Sequence, residues 1–131
     1  MQQPIETILM RQLAAHLATA MVIVDIKGDL VFFNKAAERI LGRRFEEARG
    51  MQRGQWLHEI KAQRPDGTAI QIDDRALIKA VDRDEPSHVR FHIRGLDDVL
   101  REIEGVAFPM VGQSGRKLGA VGMFWETGGT P

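Results

Sequence analysis

The chain contains no cysteine. That absence excludes disulfides, thiolate metal sites, cysteine nucleophiles and thiol–flavin adducts. It also lacks a charge excess, with 18 Lys and Arg against 18 Asp and Glu. A dedicated nucleic-acid binder usually shows a strongly basic face, so nothing beyond a small local patch is expected. No apolar run approaches the ~20 residues of a membrane helix, and the N-terminus lacks the charged-then-apolar order of a signal peptide. Together these absences predict a soluble, cytoplasmic protein with no direct contact to nucleic acid or membrane. Its 131 residues, 44% of them apolar, suit one domain whose core needs no staples.

What is present is clearest from Met21 to Gly42. Met21–Ile26 and Leu30–Phe33 are apolar runs of β-branched and aromatic residues. Between them, Asp25-Ile26-Lys27-Gly28-Asp29 places a glycine where a two-residue hairpin loop needs positive φ. Asn34 stands at a helix N-cap, Ala36, Ala37, Ile40 and Leu41 form the inner side, and Gly42 suits a left-handed C-cap. Arg43 and Arg44 follow at the negative end of the helix dipole.

Further on, Phe45–Gly50 predicts one helical turn, and Trp56, Leu57 and Ile60 one edge of another short helix. Arg64-Pro65-Asp66-Gly67-Thr68 is a turn, with Ala69–Ile72 extended after it. Asp73 or Asp74 then caps a helix with Ala76, Leu77, Ala80 and Val81 on one side, stopped by Pro86. From Ser87 the period becomes two: Val89, Phe91 and Ile93 alternate with His88, Arg90, His92 and Arg94. Val99–Met110 and Leu118–Trp125 complete the strands, with Pro109 near a strand end where a missing donor is tolerable.

Ahead of the hairpin, Pro4 to Leu17 predicts a helix. Ile5, Ile8, Leu9, Leu13 and Leu17 share one face, with Glu6 and Arg11 opposite. That stripe packs on its own domain, on a second copy, or on both. Apolar residues on both alternating sets of Met21–Val24 and the final strand predict a sheet covered on both faces, a structural reason to expect a homodimer. The whole reads as α+β: one antiparallel sheet with short helices on one face and an amphipathic N-terminal helix. Residues 1–18 form the dimerising and capping helix, 19–127 the domain, and 128–131 a frayed tail.

These pieces, in this order, resemble a PAS domain, a sensory module of bacterial signalling proteins. The resemblance is carried by Asp25-Ile26-Lys27-Gly28, Val31-Phe32-Phe33-Asn34-Lys35-Ala36-Ala37-Glu38, Leu41-Gly42 and Glu46-Glu47 before Gly50. Gly105–Met110 and Gly119–Glu126 resemble the family's last two strands. It implies a five-stranded antiparallel sheet cupping a small-molecule pocket. It also implies a junction into an output helix, here Glu126-Thr127-Gly128 with glycines following. The chain is expected to be either a fragment of a longer sensor or a stand-alone module acting by association.

No chemistry in the sequence outweighs a sensory role. The helix Asp74–Val81 has no histidine for haem; His88 and His92 share one side of a strand without a third metal ligand, and His58 and His16 are expected at the surface. Flavin without an adduct is not favoured by any residue. Ser87 and Ser114 lie in turns with no His/Asp partner indicated. Haem, flavin, metal and catalysis are therefore not expected, and no cofactor is obligatory.

The pocket candidates are Phe33, Ile40, Trp56, Leu57, Ile78, Val81, Phe91, Ile93, Phe108, Met123 and Phe124, with Arg90, His92 or Trp56 as polar contacts. Such a lining fits a small hydrophobic ligand, an acyl chain or an aromatic. The expected function is a sensory module that dimerises through the N-terminal helix and sheet face and passes its signal to an effector protein. The alternative is a ligand-free association domain of a larger sensor kinase, cyclase or transcription regulator.

Overall fold

The computed structural model describes residues 5–71, 75–95 and 97–127, with Leu57 described by its backbone alone. The chain runs α1 (Ile5–Ala15), β1 (Ala20–Asp25), β2 (Leu30–Phe33), α2 (Lys35–Leu41), α3 (Phe45–Ala48) and α4 (Arg53–Glu59). It continues through β3 (Lys61–Gln63), α5 (Ala76–Arg83), β4 (Ser87–Arg94), β5 (Leu100–Val111) and β6 (Lys117–Glu126). The sheet is antiparallel with order β2-β1-β6-β5-β4-β3. It has six strands where five were expected. The extra one, β3, is three residues long and pairs Ala62 with Ile93, too short to announce itself by alternation.

Local chemistry sets these elements. The β1–β2 turn is longer than a two-residue loop: Asp25 N–H donates to Asp29 O at 3.0 Å and Gly28 N–H to Asp25 O at 2.9 Å. Asp25 Oδ1 also accepts from the Lys27 and Asp29 amides, so the carboxylate organises a wider loop that closes through Gly28 at φ +86°. Helix α2 is capped as expected, with Ala37 N–H donating to Asn34 Oδ1 at 3.0 Å and Gly42 at φ 73°. The proposed caps Asp73 and Asp74 lie outside the described residues; Arg75, next to α5, makes no side-chain cap bond. Pro109 sits inside β5, at a point where β4 has already ended at the Ser87–Ala107 pair, so its missing donor costs no ladder bond.

The two faces of the sheet carry separate cores. The inner core joins Val24, Phe33, Ile103 and Phe124 to α2, α3, α4 and α5. The outer one joins Met21, Ile23, Met110 and Val121 to Ala14 of α1, with Met10 and Leu17 against it. Both faces are thus covered, the outer one by the chain's own helix.

That helix is turned about its axis relative to the simplest reading of its stripe. Thr7 and Ala14 are buried, while Ile5, Ile8, Leu9 and Leu13 are 68%, 43%, 57% and 54% exposed. The small residues let the helix approach the sheet closely. The polar residues anchor it: Arg11 stacks over Phe32 at 4.9 Å, and Glu6 accepts from Gln113 N–H at 3.3 Å. Of the predicted stripe, only Leu17 packs inward.

Asn34 ties this helix to the rest. It is 2% exposed. Its Oδ1 accepts from Met21 N–H at 3.0 Å as well as capping α2, and its Nδ2 donates to Ala14 O and Thr19 O, each at 2.9 Å. One side chain therefore joins the end of α1, the start of β1 and the start of α2.

A second clamp holds α2 to β5. Arg101 donates to Ile40 O at 2.9 Å and pairs with both oxygens of Asp97, at 3.1 and 2.9 Å. The hydrogen bonds from Arg101 hold the Asp97 carboxyl below its usual 3.8. A depressed folded value adds stability above the unfolded value and loses it as pH falls through the folded one, so the clamp fails below 3.8. Thermal melts should show the parent losing stability from pH 5 to pH 3, and Asp97→Asn losing less over that interval. An equal loss in both would contradict the clamp's role.

Candidate functional site

A cavity of about 530 Å³ lies between the inner sheet face and the helices. Its floor follows from register. Val22 pairs with Gly122, Gly122 with Ala107, and Gly105 with both Val89 and Phe124, so these residues share one face. Gly105 and Ala107 of β5 and Gly122 of β6 put almost no side chain where these two central strands pair, and the space above them stays open. Larger residues stand around it: Val22 and Phe33 on one side, Phe91 and Ile103 on the other.

The walls come from helices α4 and α5 and the loop beyond β3. Trp56 is 8% exposed, and its indole N–H donates to Gly28 O at 2.8 Å. That bond satisfies the one polar group of the ring and fixes α4 to the β1–β2 turn. Ile60, Ile70, Ala76 and Leu77 add apolar wall.

Polar chemistry at the cavity is of one sign. Arg64, Arg75, Lys79 and Arg90 border it, and among the described residues no Asp or Glu does. Arg75 donates from Nη1 to Ile60 O at 2.8 Å. Its Nε is buried with no hydrogen-bond partner among the described residues. Burial pulls the guanidinium below its usual value, yet arginine stays charged at neutral pH.

The expected pocket residues divide. Phe33, Trp56, Phe91, Ile93 and Phe124 line the cavity; Met123 borders it, but its side chain packs in the outer core. Ile40 and Ile78 are ordinary core, at 8% and 1% exposure, and Val81 packs against the same cluster; α5 presents Ala76, Leu77 and Lys79 to the cavity instead. Phe108 lies on the opposite face, paired with Val121 and packed in the outer core, because it is one residue out of phase with Ala107. The Leu57 side chain lies outside the described residues. Arg90 borders the cavity from the strand set of His92, and its Nη2 lies 3.4 Å from Glu104. His92 does not border the cavity: it pairs with Glu102 at 3.7 Å, on the strand set away from Phe91 and Ile93.

Sequence reading missed Arg64, Arg75 and Lys79. The spacing of four between Arg75 and Lys79, beside Ala76 and Leu77, was a usable signal for two cations at one apolar edge. Among the described residues no group of three or more His, Asp or Glu is placed to hold a metal ion. No helix among them is long and apolar enough to cross a membrane.

Comparison with known proteins accounts for this architecture. A family model of the PAS fold matches residues 8–125, and the chain belongs to the PAS family. PAS domains are in general sensory, non-catalytic modules. The solved PAS domain from Colwellia psychrerythraea is 20% identical, covering 92% of this chain and 96% of that one at a TM-score of 0.64. The PAS domain of nitrogen regulation protein NR(II) from Vibrio parahaemolyticus is 16% identical, covering 91% and 98% at 0.63. A PAS domain from a two-component sensor histidine kinase is 12% identical, covering 94% and 97% at 0.62. No curated protein sequence matches the chain.

Proposed function

We propose that the chain is a non-enzymatic, cytoplasmic sensory module that holds a small, largely apolar molecule between its sheet and helices α4 and α5. It acts as a dimer of two copies and hands its signal to an effector protein. The observation that carries this reading is the cavity of about 530 Å³, well inside the ~300–1,000 Å³ range of small-molecule sites. Its solved neighbours include a PAS domain from a sensor histidine kinase, which supports the signalling role. Mass spectrometry of freshly purified, denatured protein tests the ligand: one small molecule should recur between preparations. Repeated preparations that release none would contradict it. An absorbance scan should show neither haem nor flavin bands.

The dimer rests on α1. Ile5, Ile8, Leu9 and Leu13 project away from the sheet, and Trp125, on the outer set of β6 residues with Met123, is 39% exposed. A second copy presenting the same stripe buries both at once, the self-complementary arrangement of a two-fold interface. Leu9→Glu and Leu13→Glu should halve the light-scattering mass while costing no more than about 0.5 kcal/mol of fold stability, since the side chains are exposed. An unchanged mass, or a monomeric parent, overturns this part. The same stripe favours a second reading, association alone within a larger sensor kinase, cyclase or transcription regulator, which needs no occupant in the cavity.

Occupancy and dimerisation meet at Phe33 and Asn34. Phe33 lines the cavity, and Asn34, next in sequence, bonds the carbonyl of Ala14 at the end of α1. A molecule that displaces Phe33 therefore changes the seating of α1 by a short route. No bond is made or broken; the ligand shifts the population of two packings.

A further inference from the structure

We infer that the cavity selects an amphiphilic anion: a carboxylate on an apolar tail or ring, with its acid group between Arg75 and Lys79 and its apolar part over Gly105, Ala107 and Gly122. This rests on the ligand-binding reading above and adds a charge to it.

Elsewhere in the described structure, cations meet acidic partners. Arg53 pairs with Asp82, Arg43 with Glu59 at 3.3 Å, and Arg101 with Asp97 at 2.9 Å. Of the four cations that border the cavity, Arg90 lies 3.4 Å from Glu104 and Arg64 donates to Ala69 O at 3.3 Å, while Arg75 and Lys79 pair with no Asp or Glu among the described residues. Arg75 bonds only the neutral Ile60 carbonyl, and its Nε is buried without a partner among the described residues. The Lys79 side chain has no hydrogen-bond or ion-pair partner among them either. A partly buried guanidinium with an unused N–H is costly unless an anion meets it. Its planar fork suits a carboxylate, and a second cation one helical turn away adds to the attraction.

Size and polarity close the choice. A small hydrophilic anion would pair with Arg75 and leave the apolar floor and the Trp56 wall wetted. A neutral hydrophobe would fill the floor and leave the Arg75 Nε unpaired and dry. An anion with an apolar body satisfies both ends.

The test uses three chains of one length: decanoate, 1-decanol and decylamine, the last protonated at neutral pH. Trp56 lines the cavity, and the chain has 2 tryptophans, so a Trp125→Phe background makes its fluorescence the reporter. Decanoate should bind at least about tenfold tighter than 1-decanol, with decylamine weakest. Arg75→Gln combined with Lys79→Gln should bring decanoate down to the level of 1-decanol and leave 1-decanol unchanged, which also certifies the fold. Lys79→Gln alone should give part of that loss, should the double variant fold poorly. Equal binding of decanoate and 1-decanol by the parent overturns the anion preference while sustaining an apolar ligand. So does a preference that survives in the variants. If none of the three binds and no molecule co-purifies, the ligand reading fails together with this one.

Discussion

Replacing Asn34 by Ala should destabilise the fold by about 3–4 kcal/mol, through the loss of one side chain that serves three elements. The cap on α2 alone is worth about 1 kcal/mol. Met21 N–H, which donates to the same oxygen, is left without its partner in a buried position, at a further ~1–3 kcal/mol. Ala14 O and Thr19 O lose the Nδ2 donor. Chemical denaturation measures the total. A loss under about 1 kcal/mol would contradict the assigned role. Asn34→Asp separates the two halves of the junction. It keeps the acceptor for Met21 and Ala37 but turns a carboxylate towards the carbonyls of Ala14 and Thr19. Hydrogen exchange should then show α1 released before β1 and α2.

Filling the cavity floor should weaken binding sharply without unfolding the domain. Gly122→Leu is the substitution of choice. A Cβ at Gly122 would meet only Leu77 Cδ1, at 3.4 Å, and Val106 O, at 4.0 Å, which is ordinary contact. At Gly105 it would strike Met123 O at 2.8 Å, so that position would confound ligand loss with backbone strain. A leucine at 122 stands in the space a ligand's apolar part needs. Competing with it costs the ligand about 1–3 kcal/mol, a tenfold to hundredfold weaker affinity. Ligand recovered per mole of protein should fall accordingly, while thermal stability is kept or rises because a void is filled. Undiminished recovery would place the ligand elsewhere.

Legibility in the sequence followed the range of the forces. Met21 to Gly42 could be read almost completely, because turn, cap and helix stop are contacts between near neighbours. Even there, the Asp25 carboxylate widened the loop, and Asn34 bonded Ala14 and Thr19 across a distance no local pattern reports. Strand β3 escaped notice because three residues show no period and its partner, β4, is distant along the chain. The cavity was half legible. Phe33, Phe91, Ile93 and Phe124 follow from alternation, which also should have rejected Phe108, since Ala107 beside it faces inward. Ile78 was misplaced because the rotation of a two-turn helix is set by what it packs on, and that is tertiary information. The open floor was written in the small residues Gly105, Ala107 and Gly122, whose effect appears only once β5 and β6 are in register. The stripe on α1 shows the limit most plainly: the residues were identified correctly, but the helix turned them outward and packed on Thr7 and Ala14.

The central claim is that occupancy of the cavity changes how two copies associate through α1. The dimer dissociation constant, measured by sedimentation on the protein as purified and again after denaturing extraction and refolding, tests it most directly, with Gly122→Leu as a chain that holds the ligand weakly. Coupling of ~1–3 kcal/mol, the usual size between linked sites, predicts a shift of about fivefold or more between the occupied and emptied parent. Gly122→Leu should show the same value before and after extraction. Identical constants for occupied and emptied parent protein would contradict the account.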